Sequence, residues 1–307
     1  MLSKAGKEVL IKAIAQAIPT YTMGVFQIPG KLCDELDAMC ARFWWGQVGE
    51  ERKIHWKSWN YLTQPKTMGG MGFRDLRSFN LAMLAKQGWR MLQDHGSLLY
   101  GCFKAKYFPR CSILEAVDCP NSSYVWKSLL AAQPILKKGC CWRVGNGASI
   151  RVLQDCWLPS QPTHKVLIQP AKAEWEWRVS DLINWQEHKW DRDRIEASFH
   201  KFDAEAILKI SLSRRLVQDL IVWIHTKNGK YSVKLGYHMA KQMKLDDCND
   251  GECSSQRVPN PIWTKIWKAS IPNKIKVFAW RAGQNALPTL DNLFRRRVIE
   301  NATCIFC

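Results

Sequence analysis

A mainly α-helical chain with small β-hairpins, an α+β fold, is what this sequence predicts. Three observations carry the prediction. Apolar residues recur at helical spacing over most of the chain, with capping residues at the segment ends. Only two stretches alternate around a Gly-containing turn in the manner of paired strands. A polar run at 244–261, rich in Asp, Asn, Gly, Ser and Pro, sets off a basic, Trp-containing segment at the C-terminal end.

In chain order, Ser3 caps a first helix that runs to Ile18, where Pro19 stops it. Its expected apolar face is Val9, Leu10, Ala13, Ile14, Ala17 and Ile18. Pro29 begins a second helix, with Leu32, Leu36, Met39, Cys40 and Phe43 at helical spacing and Gly46 as C-terminal cap. Gly69-Gly70-Met71-Gly72 is a tight turn. It lacks the Gly-Lys-Ser/Thr ending and the preceding strand of a phosphate loop. Asp75 or Ser78 starts a helix through Leu92, and a shorter one covers Leu98 to Tyr107. One expected hairpin joins Cys141–Gly147 to Ser149–Leu153 through Gly145-Asn146-Gly147. The other joins Leu220–Thr226 to Lys230–Val233 through Asn228-Gly229. Residues 191–210 read as helix, with Asp191 and Asp193 at the positive end of its dipole.

The 307 residues suffice for two domains, and 47% hydrophobic residues can form a sizeable core. Sixteen Trp exclude a disordered chain, because such chains are poor in aromatics. The formal net charge is +18, from 45 Lys+Arg against 27 Asp+Glu, and both halves share the excess. A field of this sign favours polyanions, either nucleic acid or an anionic membrane surface. No apolar run approaches the ~20 residues of a membrane span. Lys12 and Pro19 interrupt the apolar stretch of residues 1–20, so it is no signal peptide. Most of the 12 Cys therefore read as free thiols in a reducing, intracellular compartment, nucleus or cytoplasm. On the same ground, the glycosylation-type matches at Asn121 and Asn301 read as chance.

Cys304-Ile305-Phe306-Cys307 is the sharpest local signal. Two thiolates at this spacing reach one tetrahedral Zn²⁺, and two further ligands are needed. Cys248 and Cys253 are candidates by count only. The competing readings are two ordinary cysteines or a redox pair, the latter without the βαβ context that would support it. Asp246-Asp247 is the only Asp-Asp pair, and it lies in the polar run without flanking apolar strands to hold a metal pair rigidly. The seven His, at 55, 95, 164, 188, 200, 225 and 238, form no metal or triad spacing. Trp44/Trp45, Trp56/Trp59 and Trp263/Trp267 read as packing residues. Trp142, with Arg143 and Arg151, is the candidate for base stacking, worth ~1–3 kcal/mol per base. The candidate phosphate contacts are Lys265, Lys268, Lys274, Lys276, Arg281, Arg295, Arg296 and Arg297; residues 262–299 hold these eight basic groups and one acid, Asp291.

Several runs together resemble LINE-type (non-LTR) retrotransposon reverse transcriptase polyproteins. They include Leu2-Ser3-Lys4-Ala5-Gly6-Lys7, Ile18-Pro19-Thr20-Tyr21, Ala41-Arg42-Phe43-Trp44-Trp45-Gly46 and Gly69-Gly70-Met71-Gly72-Phe73-Arg74-Asp75-Leu76. They continue with Lys104-Ala105-Lys106-Tyr107-Phe108-Pro109, Trp142-Arg143-Val144-Gly145-Asn146-Gly147, Gly229-Lys230-Tyr231-Ser232-Val233 and Pro272-Asn273-Lys274-Ile275-Lys276. The resemblance is collinear over essentially the whole chain. It implies a region that follows the polymerase palm: a thumb-like helical segment at 1–62, a connection region at 63–243, a linker at 244–261 and the start of a reverse transcriptase zinc-binding domain at 262–307. It implies Zn²⁺, with Cys304 and Cys307 as half of a ligand set whose downstream His and Cys have no match here. The family's aromatic-x-Asp-Asp palm motif has no match either, nor do the endonuclease and RNase H carboxylates.

The function expected is therefore a non-catalytic, multi-segment fragment of such a polyprotein, with an incomplete C-terminal zinc-binding domain. Its expected partners are RNA or DNA, bound without sequence preference, and the palm domain of the parent polyprotein, with no membrane. The rival readings are an inert or protein-interaction relic and, more remotely, an RNA-directed DNA polymerase or RNase H.

Overall fold

Ser3 begins the first helix as its sequence position predicts. Its Oγ accepts the Gly6 N–H at 3.2 Å and leads into α1 (Lys4–Leu10). The ladder then widens into one π-helical turn over Ile11–Ala15, and a separate short helix, α2 (Thr20–Met23), follows Pro19. The expected single helix to Ile18 is thus broken, and its face is reversed. Val9, Leu10, Ile14 and Ile18 are exposed, Ile18 to 75%, while Glu8, Ile11 and Gln16 are buried. Hydrogen bonding accounts for the reversal. Gln16 donates to the Arg74 carbonyl at 3.0 Å and accepts the Arg74 N–H at 3.1 Å. Glu8 pairs with Lys12 at 2.7 Å and Lys66 at 2.8 Å. The inward face closes these bonds, and a buried polar group without them costs ~1–3 kcal/mol.

The second helix, α3 (Gly30–Trp45), starts after Pro29 and ends at Gly46, whose φ of 89° is left-handed, as its cap role requires. Its buried side is Cys33, Cys40, Ala41, Trp44 and Trp45. Leu32, Met39 and Phe43 of the expected stripe face solvent. The two indoles decide the rotation, since each buries more apolar surface than an aliphatic side chain. α4 (Trp59–Leu62) is capped by Ser58. In α5 (Leu76–Gln93), Asp75 Oδ1 accepts the first-turn N–H groups of Arg77 and Ser78 at 3.1 and 3.2 Å.

α6 (Leu98–Tyr107) is capped by Ser97. α7 (Tyr124–Gly139) carries Pro134 inside it and buries Trp126, Leu129, Ala132, Ile135 and Leu136. The strands follow: β1 (Cys140–Arg143), β2 (Ile183–Asn184) and β3 (Lys189–Trp190). Residues 191–210 form two helices, α8 (Arg192–Ser198) and α9 (Lys201–Leu208), and Asp191 caps the first. β4 (Leu220–Trp223) precedes α10 (Val233–Cys248). The basic segment forms α11 (Pro261–Lys268), α12 (Asn273–Gly283) and α13 (Leu290–Arg295). The computed structural model describes residues 2–47, 49, 51–168, 176–213, 215, 217–248 and 260–302. Within them the fold is mainly α with two small antiparallel sheets, as expected.

Neither expected hairpin forms. The first strand of one pairs with the first strand of the other: Cys140 faces Trp223 and Arg143 faces Leu220 in the β1–β4 pair. Residues 149–153 make only an isolated bridge, Arg151 to Arg178, and Val233 already begins α10. The second sheet joins β2 to β3. The Gly145-Asn146-Gly147 loop explains the outcome. It lies against the chain that leads into β4, so close that a Cβ on Gly145 would sit 2.3 Å from the Val217 carbonyl.

The chain divides into two compact units, residues 1–83 with 237–307, and residues 84–236. The first unit's core joins Ile11, Trp44, Trp45, Leu62, Met71 and Phe73 to Val277, Trp280 and Ala286. The packing reading of the tryptophans holds there, with Trp56, Trp59, Trp263 and Trp267 against the same core. The second unit is built around Ile150, Val152, Trp157, Leu158, Val179, Leu182, Ile195 and Ile207. Cys33, Cys40, Cys102, Cys111, Cys119, Cys140, Cys141 and Cys156 are free thiols.

Candidate nucleic-acid interface

The glycine turn after α4 positions the basic helices. Gly69, at φ 86°, offers its carbonyl to the indole N–H of Trp280 at 2.6 Å and to the Gln284 amide at 3.2 Å. Tyr61 donates to Gln284 Oε1 at 2.8 Å. A Cβ on Gly69 would lie 2.6 Å from Gln284 Nε2, so the close approach of α12 requires glycine. Lys66 adds a second tie. Its ammonium sits 3.9 Å from the Trp267 ring centroid while paired with Glu8. Lys4 lies over Trp44 and Trp45 and donates to the Trp44 carbonyl. Burial, with the nearby charges of Lys7 and Arg281, pushes its pKa down to about 8.

The predicted phosphate contacts fall into two groups. Lys265 and Lys268 on α11, Lys274 on α12, and Arg295, Arg296 and Arg297 at the end of α13 are exposed. Arg295 pairs with Asp291 at 3.1 Å, and the Arg296 guanidinium lies 5.8 Å from the Trp56 ring centroid. Lys276 and Arg281 are turned inward. Lys276 donates to the Trp267 carbonyl at 3.1 Å, and Arg281 places Nε and Nη2 on the Ala286 carbonyl at 3.2 and 3.1 Å. These two hold the helices together instead of facing a ligand.

In the second unit, Trp142 is half-buried against the core and Arg143 is exposed. Arg151 is held between two carboxylates, Glu115 and Asp155, with Asp155 Oδ1 at 3.0 Å. These pairs raise its pKa, with the Asp155 hydrogen bond the largest cause. The three residues therefore form no common stacking platform.

Asp219 organises this region, and no spacing rule finds it. Its Oδ1 accepts the Gly145 and Gly147 N–H groups at 2.7 and 2.8 Å, and its Oδ2 accepts the Ser149 N–H at 2.9 Å. The only available signal was that a Gly-Asn-Gly loop leaves amides in need of an acceptor.

Cys304 and Cys307 lie outside the described residues, as does Cys253, and the Cys248 side chain is likewise not described. Among the described residues no group of His, Cys, Asp and Glu could hold a metal ion. Asp291 and Glu300 are the only such side chains between 260 and 302, and two carboxylates do not make the thiolate–imidazole set that a structural Zn²⁺ takes. Asp246, in the last turn of α10, is exposed and accepts from Gln242 at 2.8 Å. No described helix is long and apolar enough to cross a membrane.

Comparison with known proteins extends this picture. Residues 231–307 match the family described as zinc-binding in reverse transcriptase. The whole chain is 26% identical to "Putative ribonuclease H protein At1g65750" of Arabidopsis thaliana, and it spans 48% of that relative's length. Over 143 residues it is 36% identical to an uncharacterized mitochondrial protein of Arabidopsis thaliana, covering 46% of this chain and 93% of the relative. No solved structure matches. These matches support a retrotransposon-related reverse transcriptase region, with residues 231–307 similar to the zinc-binding family of reverse transcriptases. The chain belongs to the same family as the mitochondrial protein.

Proposed function

We propose that this chain is a nucleic-acid-holding, non-catalytic part of a LINE-type reverse transcriptase polyprotein, binding RNA or DNA without sequence preference. The observation that carries the reading is the set of exposed cations Lys265, Lys268, Lys274, Arg295, Arg296 and Arg297 on or just after three short helices, of which α11 and α12 pack against one core. Phosphate contacts of this kind give affinity without reading bases. The non-catalytic part of the reading rests on the residues present. Asp246-Asp247 is the chain's only Asp-Asp pair, and Asp246 lies exposed at a helix end, without the rigid presentation that metal-ion catalysis needs.

Fluorescence anisotropy with a labelled 30-mer, RNA and DNA in turn, tests it. Five to six phosphate contacts give a slope of log K against log salt of about −3.5 to −4 for a single strand. Lys265→Ala/Lys268→Ala/Lys274→Ala then lowers the slope by about 2. The reading fails if the wild-type chain does not bind at low salt. Mg²⁺-dependent primer extension by the purified chain, lost on Asp246→Ala/Asp247→Ala, would replace it with a polymerase.

A further inference from the structure

The second unit carries a basic cleft remote in sequence from the C-terminal cations. It has a volume of about 710 Å³, and its lining includes Arg143, His164, His225, Lys227 and Asn228 and no Asp or Glu. Three separate pieces of chain build it. Arg143 ends β1, and residues 222–229 form the end of β4 and the turn beyond. Pairing of β1 with β4, in place of the two expected hairpins, brings these cations together.

The turn is held firmly. Trp223 donates its N–H to the Gly229 carbonyl at 2.8 Å, Gly229 donates to the Thr226 carbonyl at 3.1 Å, and Thr226 Oγ1 donates to the Lys230 carbonyl at 2.9 Å. Among the described residues, the amides of Lys227 and Asn228 at its tip donate to no protein acceptor. Successive free amides on a tight turn are an anion-binding geometry. His164 closes the cleft from a third segment at φ 57°, a conformation uncommon outside glycine, with its Nδ1 3.3 Å from the Leu158 carbonyl. That contact leaves Nε2 available. His225 is exposed and stands edge-on to Trp223, 5.7 Å between ring centroids. His164 and His225 line the same cleft, and burial and then the nearby His164 make His225 less basic.

We infer that this cleft binds phosphate, namely the backbone of a single-stranded nucleic acid, through Arg143, Lys227 and the turn amides, with His225 as a flat surface for a base. Imidazole serves for such stacking, and the guanidinium takes phosphate oxygens in pairs. The inference rests on the reading of the chain as a nucleic-acid binder and adds a second, independent contact region to it.

The test uses the full chain, a single-stranded RNA 10-mer and, separately, inorganic pyrophosphate. Amide resonances of Lys227, Asn228 and Gly229 report on the cleft, and anisotropy reports on overall affinity. The expected result is that the 10-mer shifts these amides. Arg143→Ala/Lys227→Ala then weakens binding about tenfold at 0.1 M salt and lowers the salt slope by about 1.4, as two lost phosphate contacts on a single strand require. Arg143→Lys/Lys227→Arg, which keeps both charges, retains binding and guards against loss of fold. Lys265→Ala/Lys268→Ala/Lys274→Ala weakens binding but leaves the cleft shifts in place. If pyrophosphate shifts the amides and the 10-mer does not, the ligand is a free phosphate compound, and the nucleic-acid assignment of the cleft is overturned. If the 10-mer binds with unchanged affinity and slope in Arg143→Ala/Lys227→Ala, the cleft proposal is wrong while the C-terminal interface stands. Shifts with neither ligand overturn the proposal altogether.

Discussion

Replacing Asp219 tests whether one carboxylate sets the strand pairing of the second unit. Three N–H groups converge on it, at 2.7, 2.8 and 2.9 Å. Two of them, from Gly145 and Gly147, are buried, and the third, from Ser149, belongs to an exposed residue that water can reach. In Asp219→Ala the two buried donors lose their acceptor at ~1–3 kcal/mol each, while the Ser149 amide turns to water at little cost. The expected loss is about 2–6 kcal/mol, a large share of the ~5–15 kcal/mol that holds a domain together. Asp219→Asn separates hydrogen bonding from charge. Its amide oxygen still accepts from both glycines, so only the charge assistance and the Ser149 bond are lost, at roughly 1–2 kcal/mol. Urea denaturation followed by tryptophan fluorescence reads both, from midpoints at unchanged slope. The reasoning is refuted if Asp219→Ala stays within about 0.5 kcal/mol of the parent chain, or if Asn is as damaging as Ala.

Other expectations concern the first unit. Gly69→Ala places a Cβ against Gln284 and Tyr61 at a left-handed φ, so a loss of roughly 2–4 kcal/mol is expected in thermal or urea melts; an unchanged melt would show that the turn does not seat α12. Lys4, with its pKa lowered to about 8, holds fewer protons folded than unfolded between pH 8 and about 10.5. Its contribution to stability therefore rises with pH across that window, and Lys4→Met should abolish the rise. Asp37 gives the opposite sign. Burial raises its pKa to about 7, only partly offset by the nearby Trp59 indole N–H. Stability therefore falls as pH goes from about 4 to 7, and Asp37→Asn should flatten that fall. Cys141, pushed up to about 12 by burial, should stay unlabelled by a thiol reagent at pH 8 while exposed Cys102 reacts.

Local chemistry was legible in the sequence, and tertiary choice was not. Ser3, Gly46, Asp75 and Asp191 act as helix boundaries where their types and positions predict, because a cap depends on a few neighbouring atoms. The faces of α1 and α3 were misjudged for one shared reason. Both helices have apolar residues on more than one side, and the buried side was fixed by distant partners, Lys66 for α1, Arg74 for Gln16 just after the π-helical turn that continues it, and Phe73 and Trp280 for α3. The hairpins failed in the same way. Gly145-Asn146-Gly147 does turn the chain, but its amides answer to Asp219, 70 residues or more away. In the candidate interface, counting charges picked out Lys265, Lys268 and Lys274, which are exposed on α11 and α12. It did not distinguish them from Arg151, Lys276 and Arg281, whose cationic groups are engaged within the protein.

The bond from the Trp280 indole to the Gly69 carbonyl also constrains the order in which the chain can take shape. Its two ends are 211 residues apart, and the Trp280 ring packs edge-on to Trp44 within the same core. At ~5–20 residues per second, synthesis of the intervening chain takes on the order of 10–40 s. During that interval the N-terminal helices emerge without the side chains that cover Trp44 and Phe73, and the whole second unit is made before the first can close. The first unit is thus a late-closing one, and the nascent chain in that window is where a chaperone would find apolar surface to hold.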